Sequence, residues 1–445
     1  MLAGDFLFDT KEVWWAVTQI EYARAGIVTP QMRIVADKEG IPVEELAVRL
    51  ARGTIVILRN GMRNSEPVAV GEGLAVKVSA SVGTSVEQAD PEEEVKKAEV
   101  AVRAGADTVM DLSITAMDRT RRRILQAVPR PVGTLPMYQA LTEAREKAGS
   151  TVKMGVEDLF GVIAQQVADG VDFLALHCAT NRDTLESAKR TGRTDCSVSY
   201  GGSHLVGWMV HNQMENPLYE HFDRLLTICH THDVTLSLAD GWRPGCLADS
   251  LDAAQVREMI VLGELVQRAR EQGIQVMVKG PGHVPLTEIN NTITLQKRLC
   301  AGAPYFVFGP LVTDITPGYD HVNAAIGGAV SALAGADFLC YVTAVEHLRL
   351  PNRREVQEGV IAARIAAHAA DLTRKPGAWQ WDWDMSRARK SLDWEKQLVL
   401  AIDQERARSM RQTRSANSGD TCAMCGRFCA MKVVAQYLGK EADVC

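Results

Sequence analysis

From about Leu74 onward, short apolar runs rich in β-branched residues alternate with longer stretches whose apolar positions recur every three or four residues. Nine such runs read as strands: 74–78, 108–112, 131–135, 171–176, 197–200, 234–238, 275–278, 305–308 and 338–342. Amphipathic helices are expected between them, among them 91–103, 156–169 and 253–272. Short, almost wholly apolar strands separated by helices bury both faces, as in a parallel sheet. Alternation over roughly 270 residues predicts a (β/α)8 TIM-type barrel, with one of the nine runs an insertion or misassigned. An open doubly wound sheet is the second choice, although no GxGxxG follows the first strand.

The flanks are helical in pattern. Before the barrel, an apolar-periodic run begins near Glu12, Thr29-Pro30 reads as an N-cap with a first-turn proline, and Pro42 opens a further helix. After it, 354–372 and 386–413 read as two long helices, and 415–420 as a flexible linker. The expected organisation is a helical region (1–72), the barrel (73–350), C-terminal helices (351–414) and a linker with a cysteine-bearing tail (415–445).

Composition narrows the class. Hydrophobic residues make up 46% and charged residues 23%, a soluble globular profile, and the net charge of −6 gives no basic footprint for nucleic acid. No apolar run is long enough for a bilayer and the amino terminus lacks signal-peptide form, so neither membrane nor nucleic acid is an expected partner. Apart from the tail, the cysteines are scattered singly, which suits a reducing cytoplasm.

Two groups of residues carry the candidate chemistry. Cys422, Cys425 and Cys429 place three thiols within one short loop, with Gly426 permitting a tight turn. Three thiolates can hold a [4Fe–4S] cluster with one iron left open to a small molecule, and a zinc knuckle is the alternative. The second group follows the strand ends: Ser81, Asp111, Tyr138, His177, Tyr200, Asp240 with Arg243, His283 and His347. In a barrel these ends converge on one rim, the expected active site. Tyr200-Gly201-Gly202-Ser203 and Gly280-Pro281-Gly282-His283 add glycines suited to close backbone approach, and Asp240-Gly241-Trp242-Arg243 adds a carboxylate and a fork donor for phosphate or ribose.

Gly280-Pro281-Gly282-His283-Val284-Pro285, Pro317-Gly318-Tyr319-Asp320-His321, Glu346-His347-Leu348-Arg349-Leu350-Pro351-Asn352, 365–372 and Cys422-Ala423-Met424-Cys425-Gly426 are long, specific segments. Through them the chain resembles, from about Ala23 to Lys432, the phosphomethylpyrimidine synthase family of radical S-adenosylmethionine enzymes. The resemblance implies a barrel, a C-terminal [4Fe–4S] loop on Cys422, Cys425 and Cys429, S-adenosylmethionine, and aminoimidazole ribotide as substrate. It also implies a divalent metal, zinc or iron, on His283 and His347, with His321 a candidate for proton transfer. A homodimer whose cluster loop serves the neighbouring barrel, and an electron-donor protein, complete the expected set.

The matches at Met110, Tyr138, His177, Ser199, Gly201, Asp240, Gly241 and Arg243 imply substrate contacts. The departures lie among them. Ser81 replaces asparagine, Tyr200 the arginine of an SRGG run, Trp242 the leucine of DGLR, Lys279 the glutamate before GPGH, and Phe306 a substrate tyrosine, while the Cys425–Cys429 gap is one residue shorter than in many members. Reversing one charge and deleting a cation within a site is costly if the ligand contacts are otherwise unchanged. The expectation is a redirected radical rearrangement, steered by Tyr200, Lys279 and Trp242, giving 5-hydroxybenzimidazole for the lower ligand of cobalamin from the same ribotide. Unaltered pyrimidine synthesis, a non-catalytic partner of a paralogous subunit, and a metal-dependent hydrolase are the alternatives.

Overall fold

A computed structural model describes residues 17–413, 421 and 424–437, so the expected run at 12–16, the linker 415–420 and Cys422 lie outside the described residues. The chain divides into two units, Met1–Asp371 and Leu372–Cys445. In the first, β1 (Ile55–Leu58) and β2 (Val68–Gly71) form an antiparallel hairpin. Then come β3 (Lys77–Val82), β4 (Thr108–Asp111), β5 (Val132–Thr134), β6 (Phe173–Leu176), β7 (Thr235–Ala239), β8 (Val276–Lys279), β9 (Tyr305–Phe308) and β10 (Phe338–Cys340). They close into a barrel in chain order, β10 pairing parallel with both β9 and β3. This is the expected (β/α)8 architecture.

The lumen is filled by Met110, Leu135, Phe173, Met277, Phe306, Phe338 and Cys340. Room for the Phe173 ring comes from Gly133, where a Cβ would lie 2.2 Å from that ring. The helices pack outside the strands over a second, larger apolar layer. Among them Pro91–Arg103 falls on its expected bounds, started by Asp90, which accepts the Glu92 N–H at 3.0 Å.

Three expectations change. The run 197–200 is not a strand: Ser199 caps the helix Tyr200–Asn212, accepting the Gly202 N–H at 3.3 Å, and two glycines after Tyr200 give the run no pleated surface to pack. The N-terminal region is not purely helical. Its hairpin alternates, Val56, Leu58 and Val70 entering the lumen cluster while Ile55, Ile57 and Ala69 join the N-terminal helices. The hairpin is tied to groups that precede strands: Gln275 accepts the Ile57 N–H at 2.7 Å, and Asp172 accepts the Asn60 N–H at 2.8 Å. It therefore plugs the N-terminal mouth and leaves the opposite mouth for chemistry.

The third change concerns 386–413, which belongs to three helices rather than one: Trp379–Lys390, Trp394–Leu400 and Gln404–Thr413. Leu392 at φ 55° breaks the first, and Asp393 caps the second by accepting the Lys396 N–H at 3.0 Å. No helix of the described residues is long and apolar enough to cross a membrane.

Candidate active site

Lys279, the last residue of β8, forms the floor of the C-terminal cup. It is 8% exposed, with Nζ 3.8 Å from the Met110 sulfur and 4.9 Å above the Phe306 ring, which stacks on Phe338 at 4.1 Å. Burial lowers its pKa, helped by the Arg243 cation and opposed by the Cys340 thiol. Ser81 lies on the β3 side, its hydroxyl 3.6 Å from the Cys340 sulfur. Beside it a cavity of about 220 Å³ is lined by Ser81, Leu112, Phe308, Tyr341 and Glu346 among others.

His177 follows β6 and holds the opposite wall, its Nε2 2.7 Å from the Ser199 hydroxyl. A Cβ on Gly201 would lie 2.4 Å from the imidazole, and one on Gly202 would lie 2.6 Å from the Gly241 Cα. The two glycines thus allow a helix amino terminus, a natural anion site, to press against His177 and the Asp240 loop. Burial, with Arg243 and Lys279 nearby, pushes His177 down to about 3, so it is neutral at pH 7, and its buried Nδ1 has no partner among the described residues. Tyr138 and Tyr200 meet edge-on at 4.7 Å, and Tyr200 lies 4.3 Å from the His204 ring.

Asp240 follows β7. Burial raises its carboxyl to about 6 against the pull of Arg243 and Lys279. Its Oδ2 occupies the space where a Cβ on Gly280 would stand, 2.2 Å away, and Gly280 has φ +147°. The loop is fixed by Glu258, which accepts N–H groups from Gly241 at 2.9 Å and Trp242 at 2.8 Å and the Thr180 hydroxyl at 2.9 Å. Arg243 lies 5.4 Å over the Phe308 ring. Trp242 is not brought into the cup: its indole packs on Leu185, Ala188 and Ala254 and donates to Thr184 at 3.1 Å.

His283 and His347 are brought together, ring centroids 5.7 Å apart. Each has Nδ1 on a carboxylate, His283 to Asp314 at 2.7 Å and His347 to Asp320 at 3.0 Å. That arrangement fixes the tautomer and leaves both Nε2 atoms for a metal, the usual outer support of a metal-bound imidazole. Among the described residues no group of three or more His, Cys, Asp or Glu could hold a metal, so the pair supplies two ligands at most. Among the described residues the buried Nδ1 of His321 has no hydrogen-bond partner, and its ring is not joined to these groups, since adjacent helical residues diverge. Asp314, Asp320 and Glu258 were not singled out by sequence reasoning. Asp320 alone had a signal, its place in the Pro317–His321 segment.

In the second unit, Cys425 and Cys429 flank the one-turn helix Gly426–Phe428, both thiols free, with Gly426 at φ +51°. Cys422, the third thiol of the predicted set, lies outside the described residues. The two described thiols fit a cluster loop: unpaired, and separated by a turn that needs glycine.

A model of the radical SAM ThiC family matches residues 18–436. The chain belongs to the radical SAM ThiC family. It is therefore a radical S-adenosylmethionine enzyme, a chemistry that takes a [4Fe–4S] cluster and S-adenosylmethionine. It is 59% identical over 429 residues to a 5-hydroxybenzimidazole synthase BzaA of Moorella thermoacetica, covering 96% of this chain and 99% of the relative. It is 55% identical over 432 residues to a phosphomethylpyrimidine synthase of Desulforamulus reducens, covering 96% and 100%. Among solved structures, a dihydropteroate synthase from Coxiella burnetii covers 71% of this chain and 99% of its own, at 12% identity and TM-score 0.42, a likeness too loose to argue from.

Proposed function

We propose that this member converts aminoimidazole ribotide into 5-hydroxybenzimidazole, the lower-ligand base of cobalamin. The observation that carries the reading is the floor of the cup. A buried Lys279 over the Phe306 ring, with no carboxylate partner among the described residues, is an altered lining in a chain 59% identical to a 5-hydroxybenzimidazole synthase.

With a cluster and S-adenosylmethionine bound, the chemistry supplied is a 5′-deoxyadenosyl radical able to take hydrogen from the ribose. The chain's own residues do the rest. The amino end of Tyr200–Asn212 suits the phosphate, neutral His177 offers Nδ1 to a ring nitrogen or amine, and Asp240 with Arg243 suits the ribose hydroxyls. Ser81 and Tyr138 line the remaining contacts in this reading, Met110 and Phe306 pack against Lys279 at the floor, and Tyr200 and Lys279 steer the fragmentation. Trp242 acts as a brace for the Asp240 loop rather than as a contact. The closed lumen beneath keeps water from the reacting carbons.

His283 and His347 are the proposed holders of a divalent ion, zinc or iron, supported by the Asp314 and Asp320 bonds. His321 is the proposed proton-transfer residue, through an Nδ1 that has no partner among the described residues. We further assign a homodimer with the cluster loop serving the neighbouring barrel, an electron-donor protein, and a cytoplasmic setting, which the unpaired cysteines support.

The test is anaerobic incubation of reconstituted, reduced enzyme with S-adenosylmethionine and the ribotide, followed by product mass and fluorescence. A hydroxylated benzimidazole is expected. A pyrimidine phosphate, the product implied by the 55% identical relatives, would overturn the reading. Turnover only with a paralogous chain added would make this chain a partner subunit.

A further inference from the structure

Buried lysines in this fold are normally paired. Lys77 lies 2.9 Å from Glu39 and Lys97 lies 2.7 Å from Glu94. Lys279 is nearly as buried, yet among the described residues it has no carboxylate partner, only the Met110 sulfur at 3.8 Å and the Phe306 ring at 4.9 Å. A desolvated ammonium without a counter-ion is costly, and the neutral amine is not. A neutral lysine amine is a nucleophile for carbonyl carbons. It stands at the end of β8, at the base of the cup, with the Asp240 and Glu346 carboxyls and the Arg243 cation as neighbouring charged groups, none of the carboxyls within bonding distance among the described residues.

We propose that Lys279 forms an imine with the open-chain aldehyde of a pentose 5-phosphate. Nζ attacks the aldehyde carbon, and the first of its two protons passes to the carbonyl oxygen to give a carbinolamine. Asp240 protonates the leaving hydroxyl and receives the proton lost from nitrogen, so one water departs and no electron is transferred. Burial, with the Arg243 cation, disfavours the ammonium against the opposing pull of the Cys340 thiol and the Asp240 and Glu346 carboxyls, and so favours the nucleophilic amine. The inference rests on the proposed function, because a ribotide whose glycosidic bond has opened supplies such an aldehyde. Holding the sugar carbons by a covalent bond would retain them while the ring is rebuilt.

The test needs no cluster. The full chain is incubated with ribose 5-phosphate and sodium borohydride, and modified peptides are mapped by mass. The expected result is a reduced secondary-amine adduct on Lys279, forming at least about tenfold faster than on exposed Lys189. The adduct is expected to be absent in Lys279→Met and slower in Asp240→Asn. Labelling of Lys189 with Lys279 untouched, or equal labelling of both, would overturn the proposal, and mapping in the native chain decides it even if a variant does not fold. Trapping at Lys279 in a chain that never consumes the ribotide would sink the proposed function and keep the imine. Benzimidazole formation with Lys279 unlabelled would do the reverse.

Discussion

His177 shows how one residue links burial, charge and stability. Its imidazole is 2% exposed and pushed down to about 3, whereas an unfolded histidine titrates near 6.5. Depression of a base means that its contribution to stability is complete above about pH 6.5. It is lost as pH falls towards 3, at about 1.4 kcal/mol per unit. Denaturant unfolding at pH 7 and pH 4 should therefore show Asn at position 177 (His177→Asn) losing about 3 kcal/mol less than the native chain over that interval. Equal losses in both would show that His177 accepts a proton in the folded state. The polar residues at strand ends were legible in the sequence because a barrel sends every such end to one rim. Asp314 and Glu258 were not, because their partners at His283 and Gly241 lie 31 and 17 positions away and no local pattern joins them.

At the scale of elements, periodicity found the eight barrel strands because each is a short apolar run between helices. It mistook 197–200 for a ninth, since a capping serine before two glycines carries the same polar–apolar alternation as a strand edge. It missed β1 and β2 for the opposite reason: both of the hairpin's faces are buried, one by the lumen and one by the N-terminal helices, so no alternation shows. The hairpin closes the mouth remote from the cup, and Leu58 is fully buried in the lumen cluster. Leu58→Ala should cost about 3 kcal/mol in denaturant unfolding while leaving the turnover rate of folded enzyme unchanged. A loss of turnover with stability intact would mean that the hairpin at the remote mouth, and not only the cup, shapes the reaction.

For the whole molecule, sequence segments reached the family before any coordinate did, and three of the departures stand together around the floor of the cup. Phe306 under Lys279 and Ser81 beside Cys340 form one altered lining. The proposed homodimer, with each cysteine tail serving the neighbouring barrel, is open to a complementation test. If the tail serves the neighbouring subunit, mixing two inactive variants, Cys429→Ser and His283→Ala, should restore about one quarter of native activity, from one intact composite site in half of the dimers. A tail that serves its own barrel would restore none.

The claim on which the rest depends is that the rim cup presents a ribose carbon to a carbon-centred radical. Single turnover with ribotide deuterated throughout its ribose, followed by mass analysis of the recovered 5′-deoxyadenosine, tests this most directly. Deuterium in the 5′-deoxyadenosine is the predicted result; 5′-deoxyadenosine recovered without deuterium, alongside unconsumed ribotide, would contradict it.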